Sequence, residues 1–523
     1  MKTEANNPIT KLDYPDIDVI RVDDTYYMVS TTMHFMPGCE ILRSYDLANW
    51  EHAAYVYDRL DGTPGQTLAG EENIYGKGMW AASLRFHQGV FCVCFVANDT
   101  RKTYLFTSKS IEGPWEKRCI EGFYHDCSLL FDDDGRVYIA YGNREIYITE
   151  LRADLGGPLK GGLHRLAVRD ITDTCLGYEG THFVKIGGKY YMFFIHSLEG
   201  RWMRAEACFM ADSPEGEFTG GDVCVDDMGL SGQGVAQGGI VDTPEGKWYG
   251  ILFQDTGAVG RIPVLVPVTW EGCRPVFGEG GKIPKTLAVT SERPEHVYEP
   301  LVCSDDFKGE EVPGEAERRR RYGCFGLKSP WQFNHEPELS LLRLDRKRGV
   351  LWMTTDKLCK RLTQAKNMLT QRMRLPGCSG EVTVDFAGLR DGDYAGICAL
   401  QGCYGMVAAA RRGGADFVVM GSARRTENQN HQTEMAEKEW EAVEIKGSQV
   451  RLRVEVCFGP GQDQARFYYR SGEEWKKIGE THRLYFGLDH FTGCRFGLFQ
   501  YATKEIGGKA GFMDFVYGDV NGK

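Results

Sequence analysis

Three acidic residues, Asp16, Asp126 and Glu179, stand at matching positions, each at the head of a short apolar strand pattern. Carboxyl groups that meet in space can divide acid–base work, because one stays protonated as a donor while another is ionised and takes a proton from water. Hydrolysis of a glycosidic bond needs that division, and a third acid nearby raises the pKa of the donor by like-charge repulsion. A single Asp before a strand is most simply a turn or cap residue, but three acids in register favour a shared function.

The acids belong to a hairpin pattern that occurs five times. Each copy has an apolar strand, a turn with Gly or Asp, and an aromatic residue about ten positions after the head, which is a hairpin's length. A period of about fifty residues with one hairpin per unit is typical of a β-propeller, and five copies predict five blades. The five heads are Asp16, Ser83, Asp126, Glu179 and Gln237.

The propeller arrangement predicts that the heads converge, because the innermost strand of every blade lies beside one axis. Asp16 and Glu179 come from blades 1 and 4, which are not adjacent, whereas Asp126 and Glu179 come from neighbouring blades. Two carboxyl groups roughly 6.5–9.5 Å apart leave room for a water molecule and give inversion at the anomeric carbon. We therefore expect Asp16 and Glu179 to be the separated pair.

Composition limits the classes of function and location. The net charge of −11 argues against a nucleic acid partner, and no apolar run is long enough to span a membrane. The first residues, MKTEANNPITKLDYPDI, lack the apolar segment of a secretory signal. The 17 cysteines show no metal-binding spacing, so we expect small buried thiols, such as Cys92 and Cys94, and a cytoplasmic protein; a trimmed signal peptide is the alternative.

A change in the pattern of strands and turns predicts two domains, a propeller over residues 1–295 and a β-sandwich over residues 296–523. From about residue 300, eight alternating strands separated by polar turns are typical of a sandwich. The segment VGRIPVLVPVTWEGCRPVFG is expected to complete an early blade and close the ring, and KIPKTLAVTSERPEHVYEPLV is expected to be a connector. The basic run Arg318 to Arg321 is expected to be a solvated surface segment.

Three motifs resemble those of family-43 glycoside hydrolases, in the branch that contains β-xylosidases and α-L-arabinofuranosidases: YPDIDVIRVDDTYYMV, HDCSLLFDDDGRVYIAY and YEGTHFVKIGGKYYMFF. The resemblance implies that Asp16 is the general base, that Asp126 tunes the pKa of the donor, and that Glu179 is the proton donor. In the C-terminal half, WQFNHEP at residues 331–337 resembles a motif of the sandwich attached to these enzymes, which implies a jelly-roll, concanavalin-like domain.

Further motifs imply substrate-binding residues. MHFMPG implies that Phe35 is an aromatic wall of the sugar pocket, and VGRIPVLVPVTW implies that Arg261 reaches the substrate. MWAASLRF, with Trp80, is similar to the second-blade motif, although Ala82 stands where that family usually has Pro. Aromatic residues of propellers more often belong to the core, which is the alternative for Phe35 and Trp80.

Blade 5 departs from the family pattern, in which a His at the axis can support a metal or an ordered water. Gln237 stands there, and an amide is a poor metal ligand beside imidazole. We expect Gln237 and His182 to bind substrate and no cofactor to be required, although a core histidine is an equal alternative for His182. Asp306 and Asp514, near the two ends of the sandwich, are predicted ligands of a structural calcium, with exposed turn acids as the alternative.

These observations predict an inverting exo-acting glycosidase that releases terminal β-D-xylose, α-L-arabinofuranose or both from short arabinoxylan-type oligosaccharides. Two alternatives stay open: an endo-acting arabinanase on the same propeller, and a carbohydrate-binding propeller without turnover. Clustered like charges argue against the second alternative, because binding alone gains little from them. We expect an oligosaccharide substrate and neither a nucleic acid nor a membrane partner; a homo-oligomer is an open alternative.

Overall fold

A computed structural model describes residues 2–230, 232–310, 314–323, 325–427 and 433–520. Within these ranges a first strand, β1 (Lys2–Asn6), precedes five antiparallel sheets of four strands each, which form the blades of a five-bladed β-propeller. The strands of the blades are, in chain order, β2 (Asp18–Val22), β3 (Thr25–Ser30), β4 (Gly38–Ser44), β5 (Glu51–Tyr57), β6 (Met79–His87), β7 (Val90–Ala97), β8 (Lys102–Ser108), β9 (Glu116–Ile120), β10 (Ser128–Phe131), β11 (Val137–Asn143), β12 (Glu145–Leu151), β13 (His164–Arg169), β14 (Glu179–Ile186), β15 (Lys189–Ser197), β16 (Arg204–Ala211), β17 (Thr219–Cys224), β18 (Val235–Asp242), β19 (Trp248–Asp255), β20 (Arg261–Glu271) and β21 (Arg274–Phe277).

The predicted hairpins are the two inner strands of each blade. In blade 1, Val22 pairs with Thr25 across a two-residue turn, and Asp23 adopts the left-handed conformation (φ 54°) that such a turn requires. The strands of neighbouring blades pack apolar faces together; Cys92 and Cys94, both on β7, are buried there as expected. Fifteen of the described cysteines, all except Cys403, are free thiols, and Cys324 lies outside the described residues.

The prediction for ring closure was wrong. Strands β20 and β21 complete blade 5 itself, and the expected connector contains a strand, β22 (Thr286–Thr290), which pairs with β1. The segment before blade 1 also bonds to β20, since the N–H groups of Ile9 and Tyr14 donate to the carbonyls of Pro263 (3.0 Å) and Arg261 (2.9 Å). The N-terminal segment therefore joins blade 1 to blade 5. The described blades exchange no strand.

Arg85, from β6, ties the blades together at the axis. Its Nη1 donates to Asp18 Oδ2 of blade 1 (2.6 Å), and its Nε and Nη2 donate to Leu129 O and Ser128 Oγ of blade 3 (both 2.7 Å). A further bond from Nη2 reaches the carbonyl of Phe183 in blade 4 (3.3 Å). Although burial alone would raise it, Arg85 and then His182 hold the pKa of Asp18 at about 2.

Ser83 lies in this inter-blade layer and not at the head of blade 2, where the repeat placed it. Its Oγ accepts the N–H of Leu129 in blade 3 (3.1 Å), as Ser128 Oγ accepts the N–H of Phe183 in blade 4 (2.9 Å). Ser83 is thus the counterpart of Ser128, which comes two residues after Asp126. The pairing of β6 shifts by a bulge between Met79 and Ala82, as the pairing of β14 does between Glu179 and His182, so the head of blade 2 precedes Ser83.

After the propeller, one α-helix, α1 (Glu315–Tyr322), contains the basic run. The expectation of a wholly solvated run was wrong for Arg320, which is buried and bonds to Glu317 (2.7 Å). Among the described residues no helix has the length and apolar character to span a membrane. Three short 3₁₀ helices cover Gly257–Val259, Leu339–Leu341 and Leu362–Gln364.

The C-terminal domain is a concanavalin-like sandwich of two seven-stranded sheets in the described part of the chain, and its core lies between them. In spatial order the sheets are β23-β26-β35-β28-β29-β30-β31 and β24-β25-β36-β27-β32-β33-β34. Their strands are β23 (Gln332–Phe333), β24 (Leu342–Asp345), β25 (Val350–Thr354), β26 (Leu369–Arg372), β27 (Gly377–Asp385), β28 (Asp393–Leu400), β29 (Gly405–Arg412), β30 (Ala415–Glu427), β31 (Thr433–Ile445), β32 (Gln449–Cys457), β33 (Gln464–Ser471), β34 (Glu474–Arg483), β35 (Arg495–Ala502) and β36 (Lys509–Asp519).

The sandwich packs against blade 1 through the WQFNHEP motif. Phe333 exchanges backbone hydrogen bonds with Met36 (2.6 and 3.0 Å), and Gln332 Nε2 donates to the carbonyl of Pro37 (2.7 Å). A buried ion pair joins Arg372 of the sandwich to Glu40 of blade 1 (2.6 Å). The two domains are therefore fixed against each other by bonds that water does not reach.

Candidate active site

Asp16, Asp126, Glu179 and Gln237 line one pocket at the axis of the propeller. Asp16, Asp126 and Gln237 have left-handed backbones, with φ values of 52°, 48° and 56°. Such values are uncommon for residues with a Cβ, and they cluster at sites where the surrounding structure holds a side chain in a required direction. Gly180, directly after Glu179, has φ 64° and turns the chain of blade 4 in the same way.

Glu179 has the environment of a proton donor. Burial, and then the charge of Asp126, raises the pKa of Glu179 to about 8. Asn143 Nδ2, at the end of β11, donates a hydrogen bond to Glu179 Oε2. A carboxyl group with this pKa keeps its proton at neutral pH and can release it to a leaving oxygen.

Asp126 lies beside the donor. Its Oδ2 accepts the backbone N–H of Gly180 (3.1 Å), and ligand atoms of His125, Asp126 and Glu179 lie within 4.8 Å of one another. Asp16 does not belong to that group. The two acids of neighbouring blades are thus close together, and the acid of blade 1 stands apart from them.

Asp16 is held by Arg261. Arg261 Nη1 lies 2.7 Å from Asp16 Oδ1, and its Nη2 donates to the carbonyl of Phe491 (3.2 Å). Burial raises the pKa of Asp16, while Arg261 opposes that rise. The guanidinium is 2% exposed and lies over the ring of Phe491, 4.3 Å from its centroid, so its position is fixed on several sides.

The structure places some of the predicted binding residues at the pocket and others away from it. Trp80, Gln237 and Arg261 line the pocket. Phe35 does not: it is 1% exposed and packs among sandwich residues, with Arg495 3.5 Å from its ring centroid. His182 lies in the inter-blade layer, where its Nδ1 is 3.2 Å from Asp18 Oδ1. The interpretation of Phe35 and His182 as pocket-lining residues is therefore corrected.

Sequence patterns missed other residues of the pocket. Arg204, at the start of β16, and Phe491, from the loop between β34 and β35, both line it, together with apolar residues Leu176, Ile195 and Phe253. Arg204 carries no local motif, and Phe491 reaches the pocket from a domain more than 200 positions later in the chain. The only available signal for Asn143 was its place at the end of β11, the second strand after Asp126.

Two places could hold a cation. His125, Asp126 and Glu179 offer three ligand atoms within 4.8 Å, but Glu179 is needed in its protonated form for the role of donor. Asp306 follows Asp305, which forms an isolated bridge with Phe515, and Asp514 directly precedes Phe515 on β36; both acids are exposed. Among the described residues no third His, Cys, Asp or Glu joins them, so the calcium site of the sandwich stays a prediction.

Glu179 and Asp16 face a common space in different environments. Burial beside Asp126 stabilises the neutral form of Glu179, whereas Arg261 opposes the rise that burial causes in the pKa of Asp16. Two carboxyl groups in unlike environments are the arrangement of a general acid and a general base. The site can therefore protonate a leaving oxygen and activate water in one pocket.

Comparisons with known proteins agree with this chemistry. The family model of the glycosyl hydrolases family 43 matches residues 5–273, and the model of the β-xylosidase C-terminal concanavalin A-like domain matches residues 326–518. A putative β-xylosidase of Xylanibacter ruminicola is 28% identical over 92% of this chain and 84% of its own length. A non-reducing end α-L-arabinofuranosidase of Bacteroides ovatus is 25% identical over 76% of this chain and 73% of its own length.

Solved structures are similar along the whole chain. A bifunctional GH43-CE protein of Bacteroides eggerthii matches with a TM-score of 0.89 and 38% identity over 100% of this chain. This chain spans 64% of the length of that protein. A second structure, of a GH43 glycoside hydrolase engineered to display both endo-xylanase and exo-arabinofuranosidase activity, matches with a TM-score of 0.86 and 26% identity over 99% of this chain and 100% of its own.

Proposed function

The chain belongs to glycosyl hydrolase family 43, and on that premise we propose that it is an inverting, exo-acting glycosidase. Its proposed substrates are short arabinoxylan-type oligosaccharides, from which it releases terminal β-D-xylose, α-L-arabinofuranose or both. The observation that carries this proposal is the pair of unlike carboxyl groups: Glu179, with a pKa raised to about 8, and Asp16, bonded to Arg261.

The proposed reaction is a single displacement. Glu179 gives its proton to the glycosidic oxygen as the bond to the anomeric carbon breaks. Asp16 removes a proton from a water molecule, which attacks the anomeric carbon from the opposite face and inverts it. Asp126 keeps Glu179 protonated before the reaction through its negative charge, and its bond to the N–H of Gly180 holds it beside the donor.

The position of Phe491 supports exo action. This residue of the sandwich lines the pocket of the propeller, and its carbonyl accepts a hydrogen bond from Arg261. A wall at this place favours one terminal sugar over an internal segment of a polymer, which an endo-acting arabinanase would need to bind. The names of relatives include both β-xylosidases and an α-L-arabinofuranosidase, which supports the two sugars as candidates.

Substitution of the two central acids tests the proposal. We expect Glu179→Gln and Asp16→Asn each to lower kcat on xylobiose or an arabinofuranosyl xylo-oligosaccharide by a factor of about 100 or more, because each removes one proton-transfer step and the sugar leaving group departs only when it is protonated. Thermal melts should show that both variants stay folded. Proton NMR of the first product formed by the unmodified enzyme should show the inverted anomer.

Two results would contradict the proposal. Retention of most activity in either variant would contradict the assignment of that residue as the acid or the base. Tight binding of oligosaccharides by the unmodified protein without release of any reducing sugar would instead favour the carbohydrate-binding propeller.

A further inference from the structure

Two thiol groups from neighbouring blades meet next to the acidic residue of blade 3. Cys94 lies on β7 of blade 2, and Cys127 lies between Asp126 and β10 of blade 3. Their Sγ atoms are 3.5 Å apart, and both residues are buried. A disulfide bond is about 2.05 Å long, so the two sulfurs need to approach each other by about 1.5 Å to link the blades covalently. We call these two residues the inter-blade thiol pair.

The inter-blade thiol pair lies in an apolar core that excludes large and charged reagents. Leu105, Leu129 and Ile139 belong to the same cluster and are at most 1% exposed. The hydrogen bond with Cys127, and then burial, hold the pKa of the Cys94 thiol well above its usual value. Because the thiolate is the reacting form, we expect the pair to react slowly, and only with an oxidant that is small and uncharged. Hydrogen peroxide meets both requirements, whereas glutathione, a charged tripeptide, meets neither.

Proximity favours a disulfide over other products of oxidation. Once one sulfur of the pair has become a sulfenic acid, the other thiol is already in contact with it, and a reacting group held in contact has a large effective concentration. Dissolved thiols cannot compete inside a packed core. Cys119, Cys175 and Cys273 are exposed, so dissolved thiols can reach them and form mixed disulfides there.

A covalent link at this place would act on Asp126. The backbone of Asp126 is left-handed (φ 48°), and its Oδ2 accepts the N–H of Gly180 in blade 4 (3.1 Å). Ser128, on the other side of Cys127, accepts the N–H of Phe183 in the same blade (2.9 Å). Both chain neighbours of Cys127 are thus bonded to blade 4, whereas a disulfide would draw Cys127 toward blade 2. That pull works against the contact between Asp126 and the proposed proton donor.

We propose that the inter-blade thiol pair is an oxidation site, at which hydrogen peroxide forms a disulfide between blades 2 and 3 and thereby lowers hydrolysis in the catalytic pocket. Formation of the disulfide does not depend on the proposed function. Its effect on hydrolysis rests on that function and on the assigned role of Asp126.

The reaction consumes one molecule of peroxide. One sulfur of the pair, after loss of its proton, attacks a peroxide oxygen; the O–O bond breaks, the other oxygen leaves and becomes water with the released proton, and a sulfenic acid forms. The second sulfur then attacks the sulfenic sulfur, the S–O bond breaks, and the hydroxyl group leaves as water with the proton of the second thiol. The two thiols together lose two electrons, and peroxide is reduced to two molecules of water.

Peptide mapping tests the oxidation site. The folded protein is treated with excess hydrogen peroxide, unfolded in the presence of an alkylating reagent, and digested with trypsin without reduction. We expect a cross-linked species that joins residues 86–101, which contain Cys94, to residues 119–136, which contain Cys127. Dithiothreitol should separate the two peptides.

Matched variants assign the bond, because each of these peptides contains a second cysteine, Cys92 or Cys119. Cys94→Ala should abolish the cross-link, whereas Cys92→Ala and Cys119→Ser should retain it. Cys92 is the closest control, since it is also buried (4% exposed) and lies two positions away on the same strand. Cys94→Ser, which keeps the size of the side chain, replaces Cys94→Ala if thermal melts show that the alanine variant is unstable.

Hydrolysis of xylobiose or of an arabinofuranosyl xylo-oligosaccharide measures the consequence of oxidation. We expect kcat/KM of the unmodified protein to fall about tenfold or more after peroxide treatment, and that of Cys94→Ala to change by less than about threefold, because a displacement of about 1 Å at a catalytic group is costly. Activity of the unmodified protein should return with dithiothreitol. Cys92→Ala should lose activity as the unmodified protein does.

The outcomes distinguish the inference from the proposed function. Absence of the cross-link in unmodified protein whose exposed cysteines have been oxidised would refute the oxidation site. A cross-link that leaves kcat/KM unchanged, or an equal loss of activity in Cys94→Ala, would refute the effect on hydrolysis. If the untreated protein hydrolyses no glycoside, the proposed function itself fails, while peptide mapping still decides whether the disulfide forms.

Discussion

Asp16, Asp126 and Glu179 are chemically similar groups, and their neighbours give them different properties. Arg261 lies against Asp16, whereas Glu179 is buried beside a second carboxylate and bonded to the amide of Asn143. These contacts favour the neutral form of Glu179 and oppose the rise that burial causes in the pKa of Asp16. At the scale of single residues, the proposed mechanism depends on this difference and not on the mere presence of three acids.

The pH dependence of hydrolysis follows from those environments. The proposed mechanism needs Glu179 protonated and Asp16 ionised, so kcat/KM should fall above about pH 8 and also at acidic pH, where Asp16 takes up a proton. The acidic limit should lie above the roughly 3.9 that is usual for Asp. A kcat/KM profile from about pH 4 to about pH 10 checks both limits.

A variant of Asp126 tests the cause of the alkaline limit of kcat/KM. Asp126→Asn removes a charge that raises the pKa of Glu179, so the alkaline fall should move to lower pH. Gln237→Glu is a useful comparison, because a new carboxylate in the same pocket should move that limit to higher pH. An alkaline limit that stays in place in both variants would argue against Glu179 as the titrating donor.

At the scale of elements, the innermost strands have two roles. The acids lie at the start of these strands, and residues that follow the acids bond to neighbouring blades. Arg85 on β6 contacts blades 1, 3 and 4, and Ser83 and Ser128 bond to the next blade in order. The direction of the acids therefore depends on a polar layer directly beneath them. A substitution in that layer, although it does not contact the pocket, should therefore lower the stability of the whole propeller.

Removal of Arg85 should destabilise the protein strongly. Arg85→Met leaves the carboxylate of Asp18 buried without its main partner, which typically costs about 3–5 kcal/mol. Because the pKa of Asp18 is held at about 2, the stabilising effect of this ion pair is present at neutral pH and is lost only in strong acid. Urea unfolding at neutral pH measures the loss.

An exposed ion pair provides the control for that measurement. Arg152 and Asp154 are 3.2 Å apart at the surface, and Arg152→Met should change the free energy of unfolding by less than about 1 kcal/mol. Equal effects of the two substitutions would show that Arg85 does not hold the blades together.

Much of this element-level structure could be predicted from the sequence, and the exceptions have physical reasons. The eight predicted sandwich strands lie on β27–β30, β32, β33, β35 and β36, because alternation of apolar residues marks strands that are buried on one face. Six strands of the sandwich were missed: β23–β26, β31 and β34. The sequences of β31 and β34, TEMAEKEWEAVEI and EWKKIGETHR, are dominated by charged residues. The heads of four blades were correct in register, whereas that of blade 2 was not, and no local pattern could reveal Phe491.

At the scale of the whole molecule, the two domains act as one body around the pocket. Arg372 of the sandwich bonds to Glu40 of blade 1 and to the carbonyl of Asp13 (2.8 Å). Asp13 in turn accepts the N–H groups of Arg261 (2.8 Å) and of Gly493 in the sandwich (2.7 Å). A continuous set of buried bonds thus connects the domain interface with the residue that holds the proposed base.

Thermal unfolding should therefore occur in one calorimetric transition for the intact protein. Arg372→Met removes the arginine partner of the buried Glu40 carboxylate and leaves it only His52 at 3.0 Å, so we expect the domains to unfold in two separate transitions at lower temperatures. Arg374→Met, which removes a pair with Asp519 within the sandwich, is the control and should preserve the single transition. Two transitions in the unmodified protein would contradict the interpretation of one body.

The N-terminal segment that joins blade 1 to blade 5 has a consequence for assembly. Strand β1 and the N–H groups of Ile9 and Tyr14 fasten the last blade, and the same stretch ends in Asp16, whose carboxylate meets Arg261 of blade 5. The final link of the ring is thus the contact that holds the proposed base. A molecule whose propeller has not closed lacks this contact, so under the proposed mechanism we expect half-assembled copies to be inactive toward substrate.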